Sequence, residues 1–316
     1  MDLKSEDDAN KALDKIRKSS FNISKIETKR VKRNPLAPFT TSTLQQEASN
    51  KLGFGASRTM RIAQKLYEGI NIGSETTGLI TYMRTDGVQL SSQAIDELRN
   101  EITNRHGKDY IPQTPRVYKS KAANAQEAHE AIRPTSISRD PENMSQYLDN
   151  EQLKLYELIW KRTISSQMQS AELDETAADI SNKDMSIIFR ANGSQVYFPG
   201  FFVYRDREDD KILPKLVENE DVDLEKADGE QHFTQPPPRF TDASLIKKME
   251  ELGIGRPSTY ASILQVLINR SYVEKEKGKH IPQERGRILT AFLNNFFGQY
   301  IDCLLYTSDA ADDNAG

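Results

Sequence analysis

The chain has 316 residues, of which 36% are hydrophobic and 28% are charged, and its formal net charge is −4. This length fits two or three domains. No apolar run is long enough to span a membrane, so a membrane is not an expected partner. The single cysteine, Cys303, excludes an internal disulfide. The net charge argues against a strongly basic nucleic-acid-binding protein, although a local basic groove can form on an acidic chain.

The first predicted elements are a helix and a strand. Apolar residues recur at helical spacing over residues 6–19, and residues 21–33 alternate partly between apolar and polar side chains. The basic residues between positions 29 and 33 either contact phosphates or belong to a solvated strand edge. Further helices are predicted over residues 91–105, 151–169 and 287–301, and a β-rich stretch over 176–205.

One pattern occurs twice, at residues 39–60 and 240–260. In each copy a short helix ends at a Gly-x-Gly turn, and a second helix is predicted to begin at a serine or threonine N-cap. A strand-like segment follows each copy, and residues 272–282 predict a hairpin that turns near Gly278. This order is typical of a winged helix, although an ordinary helical hairpin fits the spacing equally well.

Residues 79–86 (LITYMRTD) contain the most informative chemistry. The apolar run predicts a strand that ends at Tyr82, with Tyr82 and Arg84 on the same face. A phenol beside a guanidinium suits attack on a phosphodiester, because tyrosine supplies the nucleophile and arginine binds the phosphate. The spacing alone also fits a structural pair.

Four segments, in the same order, resemble those of type IA DNA topoisomerases. They are residues 38–48 (PFTTSTLQQEA), 79–86, 126–135 (QEAHEAIRPT) and 235–261, which runs from QPPPRFT to GIGRPSTYA. Met83 resembles the bacterial topoisomerase I branch, since the topoisomerase III branch more often has proline there. The sequence is therefore identified as a member of this family over residues 21–302.

The resemblance implies a mixed α and β, multidomain topoisomerase core with helical, winged-helix-like domains and a β-rich gate arch. Residues 1–40 and 171–236 are expected to form the gate domain, and residues 41–170 the winged-helix-like catalytic tyrosine domain. Residues 237–302 are expected to form a helical DNA-binding core domain, also winged-helix-like. Residues 303–316 are expected to be a non-native tail, because they resemble a translated sequencing adapter.

The implied activity is that of an isomerase that relaxes negatively supercoiled DNA. By resemblance, Tyr82 attacks one strand and forms a 5′-phosphotyrosyl link, while Arg84 holds the scissile phosphate. The link conserves bond energy, so religation needs no ATP. Asp86 either orients Arg84 or caps the following turn, and Gly87 stands where this family is expected to have serine.

Other DNA-binding residues are expected from the matched motifs. The motif around His129 implies contact with the scissile phosphate, although a lone histidine is usually structural. Arg133 either anchors its segment or contacts DNA. The predicted helix N-terminus at Arg256, Ser258 and Thr259 offers N–H and hydroxyl donors to phosphate.

The next residue, Tyr260, belongs to the same expected DNA-binding set. Its ring either stacks on an unpaired base or is a buried tyrosine beside a helix cap.

The family uses Mg²⁺ held by an N-terminal Toprim domain, which nothing before Tyr82 resembles. The chain is therefore expected to be a fragment that binds DNA but cleaves it poorly or not at all, and no metal site is expected within it. The expected partner is a single-stranded segment of negatively supercoiled duplex. The protein is expected to be a monomer in the bacterial cytoplasm, associated with the nucleoid.

Two other functions fit the same features. One is a non-catalytic single-strand DNA-binding module built from tandem winged helices. The other is a fragment of a topoisomerase III or a reverse gyrase. A Tyr82→Phe variant separates the enzyme from the binding module, because only the enzyme forms a covalent adduct through Tyr82.

Overall fold

The computed structural model describes residues 5–73, 75–119, 129–205, 210–298 and 301. The predicted foreign tail at 303–316 therefore lies outside the described residues. The helices are α1 (Glu6–Arg17), α2 (Thr41–Leu52), α3 (Ala56–Glu68), α4 (Ser92–His106), α5 (Pro141–Met144), α6 (Asn150–Ser166), α7 (Asp242–Glu251), α8 (Tyr260–Asn269) and α9 (Glu284–Phe296). The strands are β1 (Phe21–Arg33), β2 (Ile70–Asn71), β3 (Thr76–Thr77), β4 (Ala171–Asn182), β5 (Ile188–Phe198), β6 (Asp221–Val222), β7 (Val273–Glu276) and β8 (Lys279–Pro282).

The expected mixed α and β class is confirmed, and the chain divides into two compact units. One unit comprises Met1–Asn34 and Gln169–Pro237, and the other comprises Pro35–Met168 and Pro238–Gly316. No helix in the described ranges has both the length and the apolar character needed to cross a bilayer.

The first unit is built on an antiparallel sheet with the strand order β5-β4-β1-β6. β1 pairs with β4 from Phe21 opposite Asn182 to Arg33 opposite Ala171, so the strand predicted at residues 21–33 is confirmed. The basic side chains near its end form ion pairs with acidic residues of β4, which favours a structural role for them. These pairs are Arg30–Asp174, Lys32–Glu172 and Arg33–Glu175.

The second unit contains both copies of the repeated pattern. α2 and α7 each begin at a threonine whose hydroxyl accepts a hydrogen bond from the third helical N–H, and each has the reciprocal bond of a capping box. Gly53 and Gly253 follow these helices with φ of +67° and +70°, a conformation that glycine adopts without a Cβ clash. The predicted Gly-x-Gly helix stops are therefore confirmed.

The N-cap predicted for the second helix is confirmed in position in one copy and wrong in the other. α8 begins after Thr259, although this side chain makes no capping bond, whereas α3 begins after Gly55. At α3 the missing local cap is replaced by a carboxylate from elsewhere in the unit, because the Ala56 N–H donates to Asp242 Oδ2 at 3.2 Å.

A hairpin follows each helix pair. β7 and β8 pair as predicted, and the chain reverses at Lys277 and Gly278, both with positive φ. In the first copy the hairpin is the short pair β2 and β3. The strand predicted to end at Tyr82 is wrong, since only Ile80 forms a β-bridge, with Pro134.

The remaining predicted helices are present. α4 begins after Ser91, whose hydroxyl accepts from the Ala94 N–H as a cap should. α6 matches the helix predicted at 151–169, and its apolar face is fully buried at Leu155 and Ile159. α9 begins three residues before the predicted start at Arg287 and ends at Phe296.

Candidate active site and nucleic-acid interface

Tyr82 lies on an exposed, irregular segment of the second unit. Its side chain is 40% exposed, whereas Met83 and Thr85 are each 1% exposed. Arg84 between these two buried residues is exposed. This alternation places Tyr82 and Arg84 on the solvent side together, as predicted, although the backbone forms no strand.

Thr41, the first residue of α2, holds this segment from the buried side. Its hydroxyl oxygen lies 2.7 Å from the Met83 carbonyl oxygen and accepts from the Thr85 N–H at 2.8 Å. Its own N–H donates to the Thr85 carbonyl oxygen at 2.8 Å. The backbone groups on both sides of Arg84 are therefore satisfied by one buried residue, which fixes the direction of the Arg84 side chain.

Thr81 ties the other side of Tyr82 to residues 131–133. Its N–H donates to the Arg133 carbonyl oxygen at 2.9 Å. Its hydroxyl donates to the Ala131 carbonyl oxygen at 2.7 Å and accepts from the Arg133 N–H at 3.0 Å. These side-chain bonds replace part of a β-ladder, which explains why the predicted strand does not form.

Two aromatic rings contact the ring of Tyr82. The ring of Tyr67, near the end of α3, is edge-on to it with the centroids 5.5 Å apart. The ring of His129 is tilted against it at 5.9 Å. The structure therefore brings the expected site residue His129 beside Tyr82, while residues 126–128 of the same motif lie outside the described residues.

Arg84 lines a cleft of about 400 Å³. Of the expected DNA-binding residues, Ser258 lines the same cleft. The other lining residues come from α3, from the turn before α8 and from α8 itself: Ser57, Met60, Pro257, Ala261, Ser262, Gln265 and Val266. Some of these groups already donate within the protein: the Ser262 hydroxyl donates to the Thr259 carbonyl oxygen at 2.9 Å, and Gln265 Nε2 donates to Asn269 Oδ1 at 2.8 Å. The Arg84 guanidinium and the Ser258 hydroxyl are donors suited to a phosphate, without base specificity.

The guanidinium of Arg133 is paired with Glu130 of its own segment. Its Nε and Nη2 lie 3.2 and 2.8 Å from Glu130 Oε2, and Glu130 Oε1 accepts from the Ser91 N–H at 2.7 Å. Partial burial raises the pKa of Glu130, but the hydrogen bonds from Ser91 and the charge of Arg133 outweigh it and lower the pKa overall. Of the two interpretations of Arg133, these contacts favour the anchor over direct contact with DNA.

The turn before α8 uses part of the predicted phosphate site for its own stability. The Thr259 hydroxyl accepts from the Arg256 N–H at 2.8 Å and lies 3.2 Å from the Arg256 carbonyl oxygen. The Arg256 guanidinium is exposed and donates to the Gly255 carbonyl oxygen at 2.9 Å. Arg256 is therefore accessible to a ligand, whereas the Thr259 hydroxyl is engaged in the turn.

Tyr260 is 6% exposed, which favours the buried-tyrosine alternative over base stacking. Burial raises the pKa of the Tyr260 hydroxyl, and the negative charges of Glu250 and Asp86 raise it further. The ring belongs to an apolar cluster with Ala56, Ile246, Met249 and Leu264.

A cluster centred on the buried carboxylate of Asp242 joins α7 to α3 and to the β7–β8 hairpin. Asp242 Oδ1 lies 2.8 Å from His280 Nε2 and 2.8 Å from Lys275 Nζ, and Oδ2 accepts from Ala56 at the start of α3. Burial raises the pKa of Asp242, but the hydrogen bonds from His280 and Lys275 outweigh it and hold the pKa well below its usual range. The carboxylate also stabilises the positive end of the α3 dipole.

No group of three or more histidine, cysteine, aspartate or glutamate side chains in the described ranges could hold a metal ion. The residues that the structure describes therefore do not fit the Mg²⁺ that the resemblance implies.

Three residues contribute to the site without being indicated by the motifs: Thr41, Tyr67 and Asp242. Thr41 lies within a matched segment, but its role depends on contacts with residues more than 40 positions away. Asp242 bonds to Ala56 across 186 positions. Local patterns report neither contact, because both depend on how the helices pack.

Comparison with known proteins agrees with this geometry. A family model described as DNA topoisomerase matches residues 1–308, a range that includes residues 303–308 of the expected foreign tail. DNA topoisomerase 1 of Rickettsia felis is 52% identical over 304 residues, which cover 94% of this chain and 39% of that protein. DNA topoisomerase 1 of Zymomonas mobilis is 49% identical to this chain, over 95% of this chain and 25% of that protein.

A solved structure is similar as well. Full-length topoisomerase I from Thermotoga maritima matches with a TM-score of 0.80 and 39% identity, over 90% of this chain and 47% of that one. The chain spans about two fifths of the length of the Rickettsia felis relative. On the family match and these identities, the chain belongs to the DNA topoisomerase family.

Proposed function

We propose that this chain supplies the catalytic tyrosine of a type IA DNA topoisomerase, which relaxes negatively supercoiled DNA by cutting and resealing one strand. One observation supports this most strongly: Tyr82 and Arg84 are exposed side by side on a segment whose intervening residue is buried. A nucleophile and a phosphate-binding cation are thereby presented to the same ligand.

The reaction exchanges one phosphodiester for another. The Tyr82 oxygen attacks the phosphorus of a backbone phosphate and loses its proton, while the bond from phosphorus to the 3′-oxygen breaks. The departing oxygen takes up a proton and becomes a 3′-hydroxyl, and the 5′-phosphate remains on Tyr82. Arg84 stabilises the charge on the non-bridging oxygens. Religation is the same exchange in reverse, so no ATP is required.

The cleft beside Arg84 is the proposed path of the DNA strand. Its lining includes the Arg84 guanidinium and the hydroxyls of Ser57 and Ser258, which are donors suited to a phosphate. Such contacts fix the position of a strand without reading its bases. Exposed Arg256 adds a positive charge next to the turn before α8.

The same proposal includes the conditions of the reaction. The substrate is a single-stranded segment of negatively supercoiled duplex, and the enzyme is a monomer associated with the bacterial nucleoid in the cytoplasm. Mg²⁺ is proposed as its metal, bound by residues other than those described here. The names of the relatives, all DNA topoisomerase 1, support the substrate class.

A chimera tests this function. Residues of this chain replace the matching 304-residue segment of the Rickettsia felis relative, and the product is incubated with an end-labelled single-stranded oligonucleotide and Mg²⁺. We expect a covalent adduct that survives denaturation, its loss in Tyr82→Phe, and binding that is unchanged by that substitution.

The matched control is Tyr197→Phe, which removes a hydroxyl from a tyrosine that is 63% exposed on β5. This variant should form the adduct normally. Binding without any adduct in the unsubstituted chimera would instead favour the non-catalytic DNA-binding module.

A further inference from the structure

The two rings that contact Tyr82 stand on different parts of the chain. Tyr67 lies in the last turn of α3, and His129 lies in the segment that leads to Ala131. Their centroids are 5.5 and 5.9 Å from that of Tyr82, with interplanar angles of 67° and 47°. Both separations fall within the range in which edge-to-face ring pairs attract each other.

A glycine permits the close approach of Tyr67. A Cβ on Gly78 would lie 2.5 Å from the Tyr67 carbonyl oxygen, a separation that real Cβ atoms essentially never show. The neighbouring Leu79 N–H donates to the Leu66 carbonyl oxygen at 2.7 Å, which holds the two backbones together. The φ of Gly78 is not in the left-handed region, so the requirement for glycine here is one of space.

A second glycine permits the close approach of His129. A Cβ on Gly87 would approach the His129 carbonyl oxygen more closely still, and would lie 3.1 Å from its carbonyl carbon. Gly87 is buried, and its N–H donates to the Thr85 hydroxyl at 2.9 Å. The segments that contain Gly87 and His129 are also hydrogen-bonded nearby, where the Ala131 N–H donates to the Gln89 carbonyl oxygen at 2.9 Å.

We propose that Tyr67 and His129 form an aromatic clamp that fixes the orientation of the Tyr82 ring, and that Gly78 and Gly87 set the width of this clamp. All four act through Tyr82 and are positioning residues. The proposal rests on the proposed function, in which the Tyr82 oxygen is the nucleophile. A ring held in one orientation presents its oxygen to the phosphate without a search over rotamers, which is a recognised source of rate enhancement.

The clamp explains why an exposed tyrosine can have a defined orientation. The Tyr82 side chain is 40% exposed, so it is only partly enclosed by the rest of the protein. An edge-on contact from Tyr67 and a tilted contact from His129 restrict the ring, which stays 40% exposed to a ligand. A larger residue at position 78 or 87 would displace Tyr67 or His129, because the atom it meets is backbone and not a flexible side chain.

Fluorine NMR on the full 316-residue chain tests the clamp. With 3-fluorotyrosine placed at position 82, a ring flip moves the fluorine between two environments, and line shapes give the flip rate. Tyr67→Leu should raise this rate about tenfold, the change that corresponds to about 1.4 kcal/mol in a barrier. Tyr67→Phe keeps the ring and should leave the rate unchanged.

The same fluorine label at position 82 tests the role of the two glycines through the position of its resonance. Gly87→Ser and Gly78→Ala should each shift the Tyr82 fluorine resonance. Gly298→Ala is the matched control, because a Cβ there meets nothing within 4 Å. Since Tyr67 is 40% exposed, the Tyr67→Leu variant should fold normally even where a glycine variant does not.

Two results would overturn the clamp: an unchanged flip rate in Tyr67→Leu, or an equal increase in Tyr67→Phe. The measurement needs no cleavage of DNA. A clamp that behaves as expected, together with a chimera that forms no adduct, would reject the proposed function and leave the clamp intact.

Discussion

Thr41 shows how a single residue can determine where the Arg84 side chain lies. The buried hydroxyl of Thr41 bonds to backbone groups on both sides of Arg84, so the arginine is presented by its neighbours and not by a regular strand. Because the hydroxyl is fully buried, removing it leaves backbone groups without partners, which costs more free energy than the bond itself contributes.

Replacing Thr41 with valine should therefore act on both stability and the site. We expect the free energy of unfolding to fall by about 2 kcal/mol, since a similar volume is kept while buried polar groups lose their partner. Urea denaturation of the 316-residue chain measures this. Thr41→Ser keeps the hydroxyl, so its free energy of unfolding should fall much less. Equal decreases in the two variants would contradict a hydrogen-bonding role for Thr41.

At the scale of elements, Asp242 connects parts that are distant in the sequence. It is the first residue of α7, and its carboxylate accepts a hydrogen bond from the first N–H of α3. The same carboxylate pairs with Lys275 and His280 of the β7–β8 hairpin. The second helix pair and its hairpin are thereby joined to the first helix pair by one carboxylate.

This connection predicts a pH dependence. The folded-state pKa of Asp242 lies below the unfolded value of about 3.9. Its contribution to stability is therefore complete above that value and is lost as the pH falls through the lower pKa of the folded protein. Asp242→Asn should lower the free energy of unfolding by about 2 kcal/mol at pH 7 and flatten its decline below pH 4.

Urea denaturation at a series of pH values from 7 to about 2.5 measures this decline. Asp96→Asn, an exposed residue of α4, is the control and should leave both the stability and its slope unchanged. If Asp242→Asn kept the full pH dependence of the unsubstituted chain, the carboxylate would not be the responsible group.

The elements also show what the sequence could predict. Helix ends at Gly53 and Gly253, the strand from Phe21 to Arg33 and the hairpin at Gly278 follow from local propensity and turn chemistry. The strand predicted before Tyr82 and the N-cap predicted for α3 were wrong, whereas α8 begins after a threonine as predicted. At both places where the prediction was wrong, a residue distant in the sequence supplies the hydrogen bonds. Residues 131–133 bond to Thr81 where a strand was predicted, and Asp242 accepts from Ala56 where an N-cap side chain was predicted.

The site residues too could be predicted from the sequence only in part. The motifs indicated Tyr82, Arg84 and His129, and the structure places these side chains around one exposed segment. Burial of Tyr260 was open from the sequence, because the same helix position suits a core residue or a stacking residue. The roles of Thr41 and Tyr67 depend on packing between separate elements.

At the scale of the whole molecule, the net charge of −4 does not decide the function. The cleft beside Arg84 has local donors to phosphate on an acidic chain, so the weak argument from composition is outweighed by local geometry. The domain boundaries expected from the resemblance stay a prediction. Contacts place residues 41–168 and 238–298 in one compact unit, whereas those boundaries separate them.

The central claim is that Tyr82 becomes linked to the 5′-phosphate of a cut strand. The most direct measurement is peptide mapping by mass spectrometry of the adduct formed by the chimera with an oligonucleotide, together with extension of the released fragment by a polymerase. We predict a nucleotide mass on the peptide that contains Tyr82, and an extendable 3′-hydroxyl on the released fragment. A nucleotide mass on another residue, or a released fragment that cannot be extended, would contradict the account.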